Sequence, residues 1–460
     1  MSLRKMLISG AAALLLTGSA VYAADCNPCT TDPDAVTLEC DNTGDYLIAP
    51  LYYAIGPWQT DLKVVNTNPN RAVVAKVVLR DGTDCNEILD FLIYLTPGDV
   101  WTGTIYDDNG IIKVKSDDDS FIIGGKQGSA VGSIGVHPRK EGYKDHINNT
   151  VGYVEIFGMV SYDPDLLDNG KPDASWSACS PLDKLTFYNK VNNNPNLALA
   201  FGADDVGNDD LTGRVTIRTN ADKVNDMRYM TLNMTAFGNF AKAPMTTNAY
   251  GVDTALPNMT DKKVGVLPEL DRALAKAQVN IMYEGDGDSI YPIRAHFTVP
   301  TKKYWYNFGT MPTAYKLSDI YGDGLAKTSP SEYYYSVNPT GNEIAVRDNS
   351  ENCNKCRKVS EISGAKQESC EIPIHSEVAF FDNGSQVVKE LAFNSGGWAS
   401  IDLTNNEYKA SAAGKSVEFK GMPGIPTSFV AKGYTINGGS FYLNNWLYDS
   451  YKAADCKADK

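Results

Sequence analysis

Two segments set the terms for this chain. Leu62-Lys-Val64-Val-Asn66 and Val73-Val-Ala75-Lys-Val77-Val-Leu79-Arg80 carry apolar residues at every second position, the period at which a strand shows one face to a core. Similar β-branched and aromatic runs occur at Leu47–Ile55, Ile88–Thr96 and Val100–Tyr106. Turn formers punctuate them: Gly56-Pro57, Asn68-Pro69-Asn70, Asp81-Gly82 and Pro97-Gly98. Short strands at this spacing, with no long helical pattern between them, predict a two-sheet sandwich and not a parallel sheet. Leu62–Asn66 and Val73–Arg80 are expected to be half-buried and joined as a hairpin.

The same grammar runs on. Further strands are expected at Val151–Tyr162, Arg214–Thr219, Met230–Phe237, Ile290–Val299, Lys303–Phe308, Glu377–Asp382, Lys415–Lys420, Thr427–Tyr434 and Ser440–Tyr448. Asn437-Gly438-Gly439 between the last two tolerates the positive φ of a tight hairpin turn. One helix is expected from Pro268 to Ala277, with Pro near its start, acids in its first turn and Leu270, Leu274 and Ala277 on one face. The fold class is therefore mainly β: antiparallel, immunoglobulin-like β-sandwich domains with long loops and one short helix. The expected division is a signal peptide at 1–23, a cysteine-bearing arm at 24–45, a sandwich domain with insertions and the helix at 46–300, and a second β-rich domain with a Cys-x-x-Cys loop at 301–460.

The signal peptide rests on Arg4-Lys5, the apolar run Met6–Leu16 and small residues at Val21 and Ala23. No later stretch reaches the apolar length of a membrane helix. Export leads to an oxidising compartment, where the nine cysteines favour disulfides. Cys26-Asn-Pro-Cys29 with Cys40 and Cys353-Asn-Lys-Cys356 with Cys370 form two similar clusters, read as stapled loops. The odd count leaves one thiol over, and Cys456 is the candidate for a bond between chains. Zinc on Cys353, Cys356, Cys370 and His375 is disfavoured by oxidation. Haem attachment is excluded, because neither Cys-x-x-Cys is followed by His.

The net charge of −14 repels nucleic acid and favours cations. Calcium, which prefers many hard oxygens, is the expected ion, at Asp163, Asp165 and Asp168 in one loop and at Asp286 and Asp288 in another. Catalytic patterns are absent from the sequence: the four histidines, His137, His146, His296 and His375, have no nucleophile at short range. Val131-Gly-Ser-Ile-Gly135 lacks the first glycine of a nucleophile elbow. Tyr304-Trp305-Tyr306-Asn-Phe308 and Tyr333-Tyr334-Tyr335 could stack on sugar rings, but core or interface packing is the expected role, since alternation also fills a core strand in this way. Trp58 and Trp101 are expected to cover the ends of the first sheet.

Gly56-Pro-Trp58-Gln-Thr60, Val64-Val-Asn66-Thr67 and Leu89–Gly103, with the helix before a strand ending Val299-Pro300-Thr301-Lys302, resemble an uncharacterised group of exported bacterial surface proteins. The resemblance implies a cell-surface or extracellular setting, with the periplasm as an alternative, and carries no catalytic residue. The function expected is a structural subunit of a surface layer or appendage that associates with itself. The alternatives are an adhesin or lectin-like module and a secreted polysaccharide-active enzyme. Signal peptidase is expected to leave a mature N-terminus at Ala24 or Asp25; intact-mass measurement of the exported protein checks this, and a product that retains Arg4 refutes it.

Overall fold

A computed structural model describes residues 36–39, 41–83, 87–116, 118, 121–122, 132–135, 150–162, 210–219, 229–238, 240, 266–283, 285, 287–288, 293–317, 333–337, 344–348, 350, 353–355, 372–374, 378–380, 393, 395–404, 407–412, 414–436, 439–445 and 451–453. These residues form several antiparallel sheets and two short helices.

The strands up to residue 238 are β1 (Thr37–Leu38), β2 (Tyr46–Tyr53), β3 (Trp58–Asn66), β4 (Ala72–Asp81), β5 (Glu87–Leu95), β6 (Val100–Asp108), β7 (Ile111–Ser116), β8 (Phe121–Ile122), β9 (Gly132–Gly135), β10 (Val151–Tyr162), β11 (Leu211–Thr219), β12 (Tyr229–Asn233) and β13 (Thr235–Gly238). Sheet I runs β1-β13-β2-β10-β4-β5-β8 and sheet II runs β12-β11-β3-β6-β7-β9. The two sheets share one core, in which Phe91 of sheet I meets Trp101 of sheet II at 5.7 Å between ring centroids. Trp101 is thus a core residue of the sandwich, with no exposure at all, and not an end cover.

The expected hairpin between β3 and β4 does not form. β3 pairs with β6 and β11, while β4 pairs with β5 and β10, so the Asn68-Pro69-Asn70 segment carries the chain from one sheet to the other. Asn66 fixes this crossing: its amide nitrogen donates to the carbonyls of Arg71 at 2.7 Å and Thr96 at 3.0 Å. Asparagine side chains imitate backbone turns in this way, and the amide here ties the start of β4 to the end of β5.

β3 behaves as its alternation requires, with Leu62, Val64 and Asn66 buried and Lys63 exposed. β4 does not, since all ten of its residues are buried. Register explains the difference. Val77 lies opposite Phe91 on the face toward sheet II, whereas Val78 and Arg80 lie opposite Glu155 and Tyr153 on the other face. That second face is covered by the rest of the chain.

The later elements are α1 (Val266–Ala273), β14 (Ala275–Tyr283), β15 (Ile293–Thr298), α2 (Lys302–Phe308), β16 (Lys316–Leu317), β17 (Tyr333–Val337), β18 (Ile344–Asp348), β19 (Cys353–Lys355), β20 (Ile372–Ile374), β21 (Val378–Phe380), β22 (Gly397–Asp402), β23 (Glu407–Ala412), β24 (Lys415–Lys420), β25 (Met422–Pro423), β26 (Ile425–Ile436), β27 (Gly439–Asn445) and β28 (Tyr451–Ala453). Sheet III runs β19-β18-β22-β14-β25, with β28 also paired to β14, and sheet IV runs β21-β15-β26-β27. By hydrogen bonding, β14 and β15, which precede residue 300, belong with the last third of the chain.

Two elements differ from the sequence expectation. The helix starting near Pro268 ends at Ala273, because Ala275 and Lys276 already pair with Pro423 and Met422. Sheet pairing overrides the helical spacing there. The expected strand Lys303–Phe308 is helix α2, closed by Gly309 in the left-handed conformation at φ 72°, whose N–H reaches the carbonyls of Trp305 and Tyr306. Tyr304 and Trp305 are adjacent and both buried. A strand would point them to opposite faces, while a helix turns them by about 100° and lets both enter one interior.

Gly152 of β10 has no room for a side chain: a Cβ there would lie 1.9 Å from the Arg80 carbonyl oxygen and 2.7 Å from the Tyr52 ring. Gly152→Ala is expected to cost about 3 kcal/mol, the upper end of overpacking, read as a lower urea midpoint. An unchanged midpoint would show that β10 and β4 can separate without loss.

Candidate functional site at the buried joint

The covered face of sheet I holds an ion pair with almost no solvent contact. The side chains of Arg80 and Glu155 are 5% and 0% exposed. Arg80 Nε donates to Glu155 Oε2, and Tyr46 donates its hydroxyl hydrogen to Oε1 at 2.6 Å. Tyr304 of α2 completes the set. Its oxygen lies 3.0 and 2.8 Å from the two carboxylate oxygens and accepts from Arg80 Nη2 at 3.0 Å. Burial, together with the neighbouring carboxylate, raises the Tyr46 and Tyr304 hydroxyls well above their ordinary range, so both remain protonated donors. A buried charge pair is tolerated when every lone pair and proton is used in this way.

Other contacts cross the same joint. Tyr53 Oη and His296 Nε2 are 2.5 Å apart. Thr298 donates to the Pro50 carbonyl at 2.6 Å, and Val378 N–H to the Gly82 carbonyl at 2.9 Å. Val36 N–H donates to Glu269 Oε2 at 3.2 Å, and Glu269 pairs with Lys415.

A second buried carboxylate is met by the next residue of α2, Trp305. Asp271 of α1 accepts at Oδ2 from Trp305 Nε1 at 2.7 Å and from the Tyr408 hydroxyl at 2.6 Å. Asp271 Oδ1 and Thr301 Oγ1 are buried and have no hydrogen-bond partner among the described residues. Burial pushes the Asp271 carboxyl up to about 7 against the opposing pull of the hydrogen bonds from Tyr408 and Trp305. Burial also pushes the Lys276 ammonium down to about 7, although its Nζ donates to the Leu274 carbonyl at 3.0 Å. Of the titratable groups nearby in the chain, Glu269 of α1 is turned to Lys415 of β24 and Val36, and Tyr304 of α2 to Glu155 and Arg80, so the groups on Asp271 are Trp305 and Tyr408.

This arrangement is suited to holding two parts of a chain together, and its hydrogen bonds are consumed within the protein. Tyr304 and Trp305 are spent on the two carboxylates and fill the interior, while Tyr306 and Phe308 of the same run are half-buried. Of the residues singled out for calcium, Asp163, Asp165, Asp168 and Asp286 lie outside the described residues. Asp288 is exposed, next to Gly287 at φ 97°. Cys26, Cys29, Cys40, Cys356, Cys370 and Cys456 also lie outside the described residues; Cys353 opens β19. None of the candidate metal or disulfide residues is brought to another within the described structure.

The joint itself escaped the sequence reading. Its signal was present, as a single acid, Glu155, inside the apolar run Val151–Val160 and a base, Arg80, closing another. Charges inside apolar strands mark buried partners. Comparisons of the chain with protein-family models, curated proteins and solved structures found no match.

The two buried groups give opposite pH dependences. Asp271 is raised above its ordinary 3.8, so its neutral form contributes stability that is full below about 3.8 and lost as the pH rises through about 7. Lys276 is lowered from 10.5, so its contribution is present above 10.5 and lost as the pH falls through about 7. The contribution of Asp271 therefore grows toward acid and that of Lys276 toward base, each on its own side of neutrality. Asp271→Asn should flatten the limb between pH 4 and 7 and Lys276→Met the limb between 7 and 10, in denaturant titrations across that range. Parallel profiles for wild type and variants would disprove the assignment.

Proposed function

We propose that the chain is an exported structural protein of the cell surface, a subunit of a surface layer or extracellular appendage that associates with its own copies. The observation that carries this reading is the position of β27. It is the last strand of sheet IV among the described residues, paired on one side to β26 from Ile436↔Gly439 to Val430↔Asn445. Its sequence, Gly439-Ser-Phe-Tyr-Leu-Asn-Asn445, contains neither proline nor charge. Edge strands of this kind add to a neighbour's sheet unless something blocks them.

Other features support the same reading. The buried joint ties the sandwich to the later sheets through groups that face no solvent, which favours a stiff building block over a mobile catalyst. The signal-like start, the odd cysteine count with Cys456 just past the last strand, and the acidic surface fit an exported subunit bridged by disulfides and calcium.

Light scattering of the mature chain should show association that grows with calcium. Tyr442→Lys with Asn444→Lys, which places charge along the edge, should leave it monomeric and folded. Cys456→Ser should remove any covalent dimer on non-reducing gels. A wild-type chain that is strictly monomeric at high protein and calcium concentration would overturn the proposal.

A further inference from the structure

Sheet II has one face in the core and one turned outward. Along β11, Leu211, Val215 and Ile217 are buried, and Arg214 and Arg218 alternate with them toward the outside; along β7, Ile112 and Val114 are buried while Lys113 and Lys115 face out. With Lys63 of β3, five bases lie on this face. The register places Arg214 directly opposite Lys63, Thr216 opposite Asp61, and Lys115 opposite Thr104.

The acids nearby are already engaged. Asp61 is held by Arg218, whose Nη2 lies 3.2 Å from Oδ1, and it also accepts from Thr104 at 2.7 Å. Asp108, at the end of β6, pairs with Lys113. Lys63, Arg214 and Lys115 are exposed and have no ion pair among the described residues, with Lys115 over the Tyr106 ring at 5.4 Å. Like charges directly opposite one another weaken a sheet. Lys63 against Arg214 is such a pair, on a chain that has acids in excess.

We propose that this outer face of sheet II docks the acidic surface of a second copy of the chain. The inference rests on the assembly reading above and adds a second, different contact to it. The chain's net charge is −14, and a face with more bases than acids leaves the remaining surface more acidic still. The patch therefore has its complement on every other copy. Across β11 to β7 it spans three strand spacings, about 14 Å. A contact between a basic face and an acidic surface elsewhere is heterologous, so it closes into a ring or extends into a filament. Because it depends on exposed charges, added salt should loosen it, the screening length being about 10 Å at 0.1 M.

The test is sedimentation velocity of the full mature chain at fixed calcium in low and high salt. It compares wild type, Lys63→Glu, Lys63→Glu with Lys115→Glu, and the Tyr442→Lys with Asn444→Lys edge variant. Lys63→Glu sets opposite charges across β3 and β11, so its thermal midpoint should be no lower than wild type. Its self-association, and that of the double variant, should weaken by about tenfold or more, the equivalent of 1.4 kcal/mol. Salt should weaken wild-type association in the same direction. If both sheet-face variants associate like wild type while the edge variant does not, this surface is wrong and the assembly reading stands. A wild-type monomer at every salt concentration sinks both. If the wild type binds polygalacturonate through Lys63 and Lys115 but its association ignores them, the occupant is an acidic polymer and the second-copy assignment is overturned.

Discussion

The buried pair of Arg80 and Glu155 is the constraint from which the rest of the architecture follows. Two charges removed from water are stable only when their remaining donors and acceptors are met. Sheet I can supply Tyr46, but the last partner must arrive from outside the sandwich, and Tyr304 is that partner. The outer face of sheet I is accordingly covered, β4 is buried on both sides, and the segment around Pro300 is held against β2 and β10. Removing either charge alone would leave the other stranded, so the network penalises any arrangement of the two parts of the chain that does not bring these groups together.

The placement of α2 makes that coupling economical. Consecutive residues serve two carboxylates: Tyr304 turns to Glu155 on the covered outer face of sheet I, and Trp305 turns to Asp271 of α1, which also meets Tyr408 of β23. A short helix thus joins the sandwich, the α1 segment and the β23–β24 hairpin at one point. Among the described residues, sheet IV ends in β27, and the outer face of sheet II carries Lys63 opposite Arg214.

Much of the fold was legible from local pattern. The strands from Tyr46 to Asp108, the long strand Val151–Tyr162, and the pairing of β26 with β27 across Asn437-Gly438 were readable, because alternation and turn residues act within a few positions. The crossing between β3 and β4 was not readable. A turn sequence such as Asn68-Pro69-Asn70 says that the chain reverses, and the partner chosen depends on which strands lie alongside. Lys303–Phe308 failed for a related reason, since alternating aromatics satisfy a strand pattern and the burial of both Tyr304 and Trp305 shows only once their partners are in place. Of the candidate site, only the charged residues set in apolar runs were visible beforehand, and nothing local says which tyrosine will meet them.

By itself, the sequence determined the β character, the strand positions and the acidic balance, since each depends on residue type and short-range spacing. The tertiary structure alone decided which face of β4 was covered, that Glu155 would find Arg80 and two tyrosines, and that Asp271 would lie buried beside Trp305. Those outcomes join residues far apart in the chain: 75 positions separate Arg80 from Glu155, and 149 separate Glu155 from Tyr304. Hydrogen bonding and desolvation act over a few ångströms of space, whatever the distance along the chain, so only the folded geometry could select those partners.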